Sequence, residues 1–183
     1  MSQFLFRLFC ICSVADLTAC ATYSPILTQE TASVRFVVKQ KSTFGHDPNF
    51  TVAALSDEQC NTAPPAGRIA DFSTSAIIKN KHAALGMIGG DDVEIRDKHE
   101  VQIPANERFS FVFRETDPFW TCTVALSFAP VSGNQYEVEF RRQRAACHVE
   151  ISRLEVTPEH KIIRSPDTTV HLLSCDWPLS QSF

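Results

Sequence analysis

Three glutamates, Glu137, Glu139 and Glu150, form the densest set of groups able to do chemistry in this sequence. Paired carboxylates serve as general acid and base in glycoside cleavage, or as oxygen ligands of a hard cation. Whether they meet depends on how two segments, Tyr136 to Phe140 and Cys147 to Leu154, lie against each other. With a loop over Gln143 to Ala146, Phe140 comes opposite Val149 and Val138 opposite Ile151, all on one apolar side. The other side then sets Glu139 opposite Glu150, Glu137 beside Ser152 and His148 beside Arg141. Directly opposed like charges destabilise a sheet, so they need a cation, a shared proton or open solvent. No ligand set or catalytic motif accompanies them. The expectation is a solvated polar face, with Glu139 and Glu150 as candidate binding residues and a hydrolase built on that pair as the alternative.

Other chemistries find less support. The histidines at 46, 82, 99, 148, 160 and 171 never fall at metal-ligand spacing, and no Cys-x2-Cys pair occurs. A Cys147 nucleophile served by His148 is disfavoured because adjacent strand residues point to opposite faces. Gly89-Gly90 lacks the Lys-Ser/Thr of a phosphate-binding loop, and there is no Gly-x-Ser-x-Gly or dinucleotide fingerprint. No catalytic residue, metal or cofactor is therefore expected. Asp117-Pro118-Phe119-Trp120 reads as a loop with two aromatics. Trp120 shares parity with Cys122 and turns inward, which leaves Phe119 as a candidate contact for a glycan or protein partner. With 17 basic and 21 acidic residues the net charge is -4, and no basic cluster suggests a nucleic-acid partner.

The elements that must position these groups read as strands. Val34, Phe36 and Val38 alternate with Arg35 and Lys39; Phe109, Phe111 and Phe113 with Ser110 and Val112; Cys122, Val124, Leu126 and Phe128 with Thr123, Ala125 and Ser127. Further strands are expected at Phe50 to Leu55, within Val93 to Ile103, and at Thr169 to Leu173. Phe72 to Ile88 fits neither period and is expected to hold a short helix or an irregular connection ending at Gly89-Gly90-Asp91-Asp92. Many short strands with frequent turns argue an all-β fold: an antiparallel β-sandwich, immunoglobulin-like in general architecture, as one domain over residues 32–183. If Pro130 to Asn134 is a hairpin loop, Phe128 faces Tyr136, Leu126 faces Val138 and Val124 faces Phe140, giving a three-stranded meander.

The amino terminus has a single Arg within Met1 to Arg7 and then the apolar run Leu8 to Ala15, too short to span a bilayer. Leu17-Thr18-Ala19-Cys20 follows and resembles the lipobox of bacterial lipoproteins. The resemblance implies a signal peptide over residues 1–19, lipidation of Cys20 by acyl chains such as palmitate, and a lipidated tether over 20–31. Ala21, rather than Asp, after the cysteine implies the outer membrane, on its periplasmic face. The pattern Cys122-x5-Phe-x-Pro-x2-Gly-x2-Tyr-x-Val-x-Phe, followed by Cys147-x-Val, also resembles small, uncharacterised proteobacterial envelope lipoproteins. The resulting expectation is a lipid-anchored periplasmic protein with a non-catalytic binding or accessory role. Its partners would be the membrane, through the lipid, and an envelope protein or glycan. Two rival roles fit the same features: an inhibitor of an envelope-directed enzyme, and a subunit of an envelope machine.

In that oxidising compartment Cys60, Cys122, Cys147 and Cys175 allow three pairings. The meander sets Cys122 and Cys147 at the same end and on the same face, but two strand spacings apart, roughly 9.5 Å, if the middle strand is complete. Cys122–Cys147 with Cys60–Cys175 is the expected pairing, on the condition that the middle strand stops near Phe140 and Arg141 to Ala146 loop aside.

Overall fold

The computed structural model describes residues 23, 30–39, 49–60, 67–72, 84–92, 98–116, 120–143 and 146–175. Ten strands occur among them: β1 Thr31–Val38, β2 Asn49–Ala54, β3 Gly67–Asp71, β4 Lys98–Pro104, β5 Phe109–Thr116, β6 Thr121–Phe128, β7 Gln135–Gln143, β8 Ala146–Val156, β9 Ile162–Pro166 and β10 His171–Leu173. They form two five-stranded sheets, ordered β4-β1-β7-β8-β9 and β10-β6-β5-β2-β3. The described residues form an all-β sandwich. Every strand pair is antiparallel except β1 with β7, which run parallel from Ser33 opposite Gln135 to Val38 opposite Phe140.

Alternation places the core between the sheets. Val34, Phe36, Tyr136, Val138, Phe140 and Ile151 point inward from one sheet, and Phe50, Val52, Phe111, Phe113, Leu126 and Phe128 from the other. Aromatic rings carry much of this contact: Phe113 stacks on Phe140 at 5.2 Å, and Phe36 meets Phe111 edge-on at 5.4 Å. A smaller apolar cluster, Ala53, Leu55, Cys60, Val112 and Ala125, lies on the opposite face of β2, β5 and β6. β3 and β9 have no counterpart among the expected strands. Both are short edge strands, and β9 is largely exposed, so it carries no buried alternation to detect.

The three-stranded meander is corrected in one joint. The β7–β8 hairpin has the expected register, with Phe140 opposite Val149 and Val138 opposite Ile151. β6 and β7, however, belong to different sheets. Residues 129–134 are not a hairpin loop but an arch over the end of the core, held by the Val131 N–H donating to the Tyr136 hydroxyl at 3.0 Å and by Asn106 N–H donating to Pro130 O at 2.7 Å. Phe128 and Tyr136 do meet, with ring centroids 5.3 Å apart, but across the core. Parity alone is satisfied equally by neighbours in one sheet and by facing residues in two.

Both expected disulfides are present, Cys60–Cys175 and Cys122–Cys147. The condition attached to the second is overturned: β7 continues to Gln143, with Arg142 opposite Cys147. The bridge needs no break in β7 because it joins β6 to β8 across the sandwich, with Cα atoms 6.5 Å apart. In the Phe72 to Ile88 region, residues 73–83 lie outside the described residues. Ala84 to Ile88 run without helix, and Gly90–Asp92 form a single 3-10 turn. This segment lies as a strap across the outer face of the β4-β1-β7-β8-β9 sheet, through the contacts below.

Candidate functional site

The outer face of that sheet carries the glutamates singled out by the sequence. β7 and β8 bring Glu139 directly opposite Glu150, and Glu137 opposite Ser152. The face is not a plain solvated surface. Arg141, two residues along β7 and therefore on the same side, reaches Glu139 with its Nε at 2.9 Å and bonds Glu150 through Nη2. Lys39, just beyond the parallel neighbour β1, adds an ion pair to Glu139 at 2.6 Å. The opposed carboxylates are thus relieved by a shared guanidinium, and the two differ sharply in exposure, at 13% and 50% of their side chains.

Further along the same face a second group is buried at its centre and reaches solvent only at Arg164. Arg35 on β1 has 0% exposure and lies between Glu100 on β4 and Glu137 on β7, its two strand neighbours. Arg35 Nε donates to Glu100 Oε1 at 2.9 Å, Nη1 to Glu137 Oε2 at 3.1 Å, and Nη2 to the Met87 carbonyl at 2.9 Å. Glu137 Oε1 also accepts from Arg164 Nε at 2.7 Å. Glu100 Oε2 accepts the strap's Leu85 and Met87 N–H groups at 2.6 and 3.3 Å. Two arginines and two glutamates therefore form a neutral network in which both oxygens of each carboxylate are engaged. Burying charge is costly, and only such complete pairing makes it tolerable. Burial pushes the Glu100 carboxyl toward protonation, but the Arg35 bond and the Met87 and Leu85 N–H groups outweigh it, holding it below its ordinary value. Glu137 is likewise held low, burial being overcome by Arg164 and Arg35.

The strap completes this enclosure. Met87 is buried while Ala84 and Leu85 are exposed, Ile88 N–H donates to Gln135 Oε1 at 2.8 Å, and Lys98 Nζ bonds the Gly90 carbonyl. Glycine suits the strap where it lies closest. A Cβ on Gly89, whose φ is +68°, would come 2.9 Å from Ile162 Cδ1, and one on Gly90 would come 3.2 Å from Arg35 Nη2.

A third charged group lies inside the sandwich at its end. Glu115 on β5 and Arg142 on β7 pair at 2.8 Å, Nη1 to Oε1, beside the Cys122–Cys147 bridge, since Glu115 is opposite Cys122 and Arg142 opposite Cys147. Sequence reasoning passes over Arg35, Glu100, Arg164 and this pair. One signal is present for the first: Val37 shares the parity of Arg35, and an apolar residue there marks a covered face.

Of the other candidates, Cys20 and Phe119 lie outside the described residues. Trp120 is half-buried. His148 is opposite Arg141 at the rim of the polar face. Among the described residues no three His, Cys, Asp or Glu side chains are grouped as a cation would require. No protein-family model matches the chain, and no curated protein is similar to it.

Proposed function

We propose that this chain is a lipid-anchored periplasmic protein of the outer membrane whose β-sandwich has a non-catalytic binding or accessory role toward an envelope protein or glycan. The observation that carries this reading is the use of cysteine. Beyond the Leu17-Thr18-Ala19-Cys20 motif all four remaining cysteines are consumed in two disulfides, the state expected of an exported protein. The bridge between sheets, Cys122–Cys147, also supports an immunoglobulin-like reading of the sandwich, because antibody domains tie their two sheets in the same manner.

The non-catalytic half of the proposal rests on the glutamates. A general acid and base need carboxyl groups able to exchange a proton with substrate. Glu137 and Glu100 have both oxygens bonded to donors, and Glu139 is ion-paired to Lys39 and Arg141. Such groups serve as scaffold.

Intact mass and membrane fractionation of the full chain test the anchor. The expected mature protein begins at Cys20, carries acyl mass and partitions with outer membranes, and Cys20→Ser abolishes processing. An amino terminus without acyl mass, or one that still begins at Met1, overturns the anchor. Turnover of an envelope polysaccharide that is lost on Glu139→Gln or Glu150→Gln overturns the non-catalytic role.

A further inference from the structure

Tyr23 is only three residues beyond Cys20, and it is already part of the folded domain. Its N–H donates to the Arg68 carbonyl at 3.0 Å, and its ring meets Phe109 edge-on at 6.0 Å. It packs against the main core. Burial, reinforced by the nearby Glu107 charge, pushes its hydroxyl up to about 12. The side chain is thus a fixed point of attachment, not a link in a free tether.

We infer that the sandwich stands directly on the leaflet that holds its acyl chains, with the end bearing Tyr23, Asn106, Glu107 and Val131 against the phospholipid headgroups. The inference rests on lipidation of Cys20. Three residues at full extension span at most about 11 Å. The headgroup layer on one side of a bilayer takes up roughly 5–7 Å of that, the difference between a total thickness of 40–45 Å and a hydrocarbon core of 30 Å. With the acylated Cys20 taken at the inner boundary of this layer, Tyr23 is left within about 6 Å of its outer boundary even when the link is fully extended.

The rest of that end follows from the fold. Asn106 N–H bonds Pro130 O, and Gly133 N–H bonds Thr31 O at 2.9 Å, so the 129–134 arch, the turn before β5 and the start of β1 share one end of the sandwich. Val131 protrudes from it, 52% exposed. The other end, with Thr116, Thr121 and Gln143, lies about 26 Å away along β7, taking eight residues at about 3.3 Å each. It faces the periplasm and is the end available to a protein or glycan partner.

The test uses the lipidated full chain in vesicles of phosphatidylethanolamine and phosphatidylglycerol, carrying a photo-crosslinking amino acid at position 131 or, separately, at 143. Crosslinks to phospholipid are expected from 131 and not from 143. Inserting a flexible Gly-Ser linker between Thr22 and Tyr23 should bring the signal at 131 down to that at 143. Intact mass separates the two ways of failing. An unacylated chain overturns the anchor and this inference together. An acylated chain with equal crosslinking at both positions, or with crosslinking at 131 undiminished by the linker, overturns the close apposition alone.

Discussion

Arg142 and Glu115 meet from opposite sheets at 2.8 Å, at the same end of the core as the disulfide that joins their strand neighbours Cys147 and Cys122. An ionic and a covalent tie therefore close one end of the sandwich side by side. Glu115 is wholly buried, so its charge depends on the partners supplied by the fold. Arg142→Met alone should cost about 3 kcal/mol, while the apolar double change Glu115→Leu with Arg142→Met should cost markedly less. Urea unfolding of the two variants, with Glu115→Leu alone to complete the cycle, measures the coupling. Strict additivity would show that the pair contributes no interaction of its own.

The neighbouring disulfide makes a separable prediction. Its 25-residue separation corresponds to about 3.5 kcal/mol by loop-closure entropy, and the 115-residue separation of Cys60–Cys175 to about 5 kcal/mol. Replacing Cys122 and Cys147 together by Ala should lower the unfolding free energy by about that smaller amount. Peptide mapping without reductant should recover Cys122–Cys147 and Cys60–Cys175 peptides. A Cys60–Cys122 or Cys60–Cys147 peptide would contradict the fold.

The enclosed network under the strap predicts acid sensitivity. Glu100 and Glu137 are held below the ordinary carboxyl value of 4.5 in the folded chain. A carboxyl whose folded value is depressed contributes its stabilisation in full above the unfolded value, and that contribution is lost as pH falls through the folded one. The urea midpoint should therefore fall as pH drops from about 6 to about 3, with the decline concentrated below 4.5. Glu137→Gln should be less stable near neutrality and show a flatter decline. An equally steep acid limb in that variant would remove Glu137 from the account.

Two strap glycines separate backbone strain from crowding. Gly86 and Gly89 both have positive φ, but a Cβ on Gly86 meets nothing within 4 Å, whereas one on Gly89 meets Ile162. Gly86→Ala should cost about 1 kcal/mol from φ alone. Gly89→Ala should cost about 1 kcal/mol more and speed amide exchange at Leu85, Met87 and Ile88. Equal losses at both positions would mean that the strap does not press on β9.

Period-two alternation is a local property of the chain, and it is enough to place eight of the ten strands among the described residues, the inward faces and the β7–β8 register that opposes Glu139 to Glu150. The cysteine pairs are also legible, because an even set of four with Cys122 and Cys147 at matched strand ends leaves few choices. Alternation records only which side of a strand is apolar. It does not record whether the next strand lies beside it or across the core, so the assignment of β6 and β7 to separate sheets waits on the tertiary structure. For the same reason alternation alone accounts for the Cys122–Cys147 bridge by a break in β7 that does not exist. The burial of Arg35, Glu100 and Glu137 is hidden for a related cause. A charged residue on an alternating strand reads as solvent-facing unless something covers it, and the cover here is a glycine-rich strap about fifty residues distant from both Arg35 and Glu137, with no periodicity of its own. Sequence set the two faces of each strand; which faces meet, and which outer face is roofed, is settled only when distant segments compete for the same apolar and ionic partners.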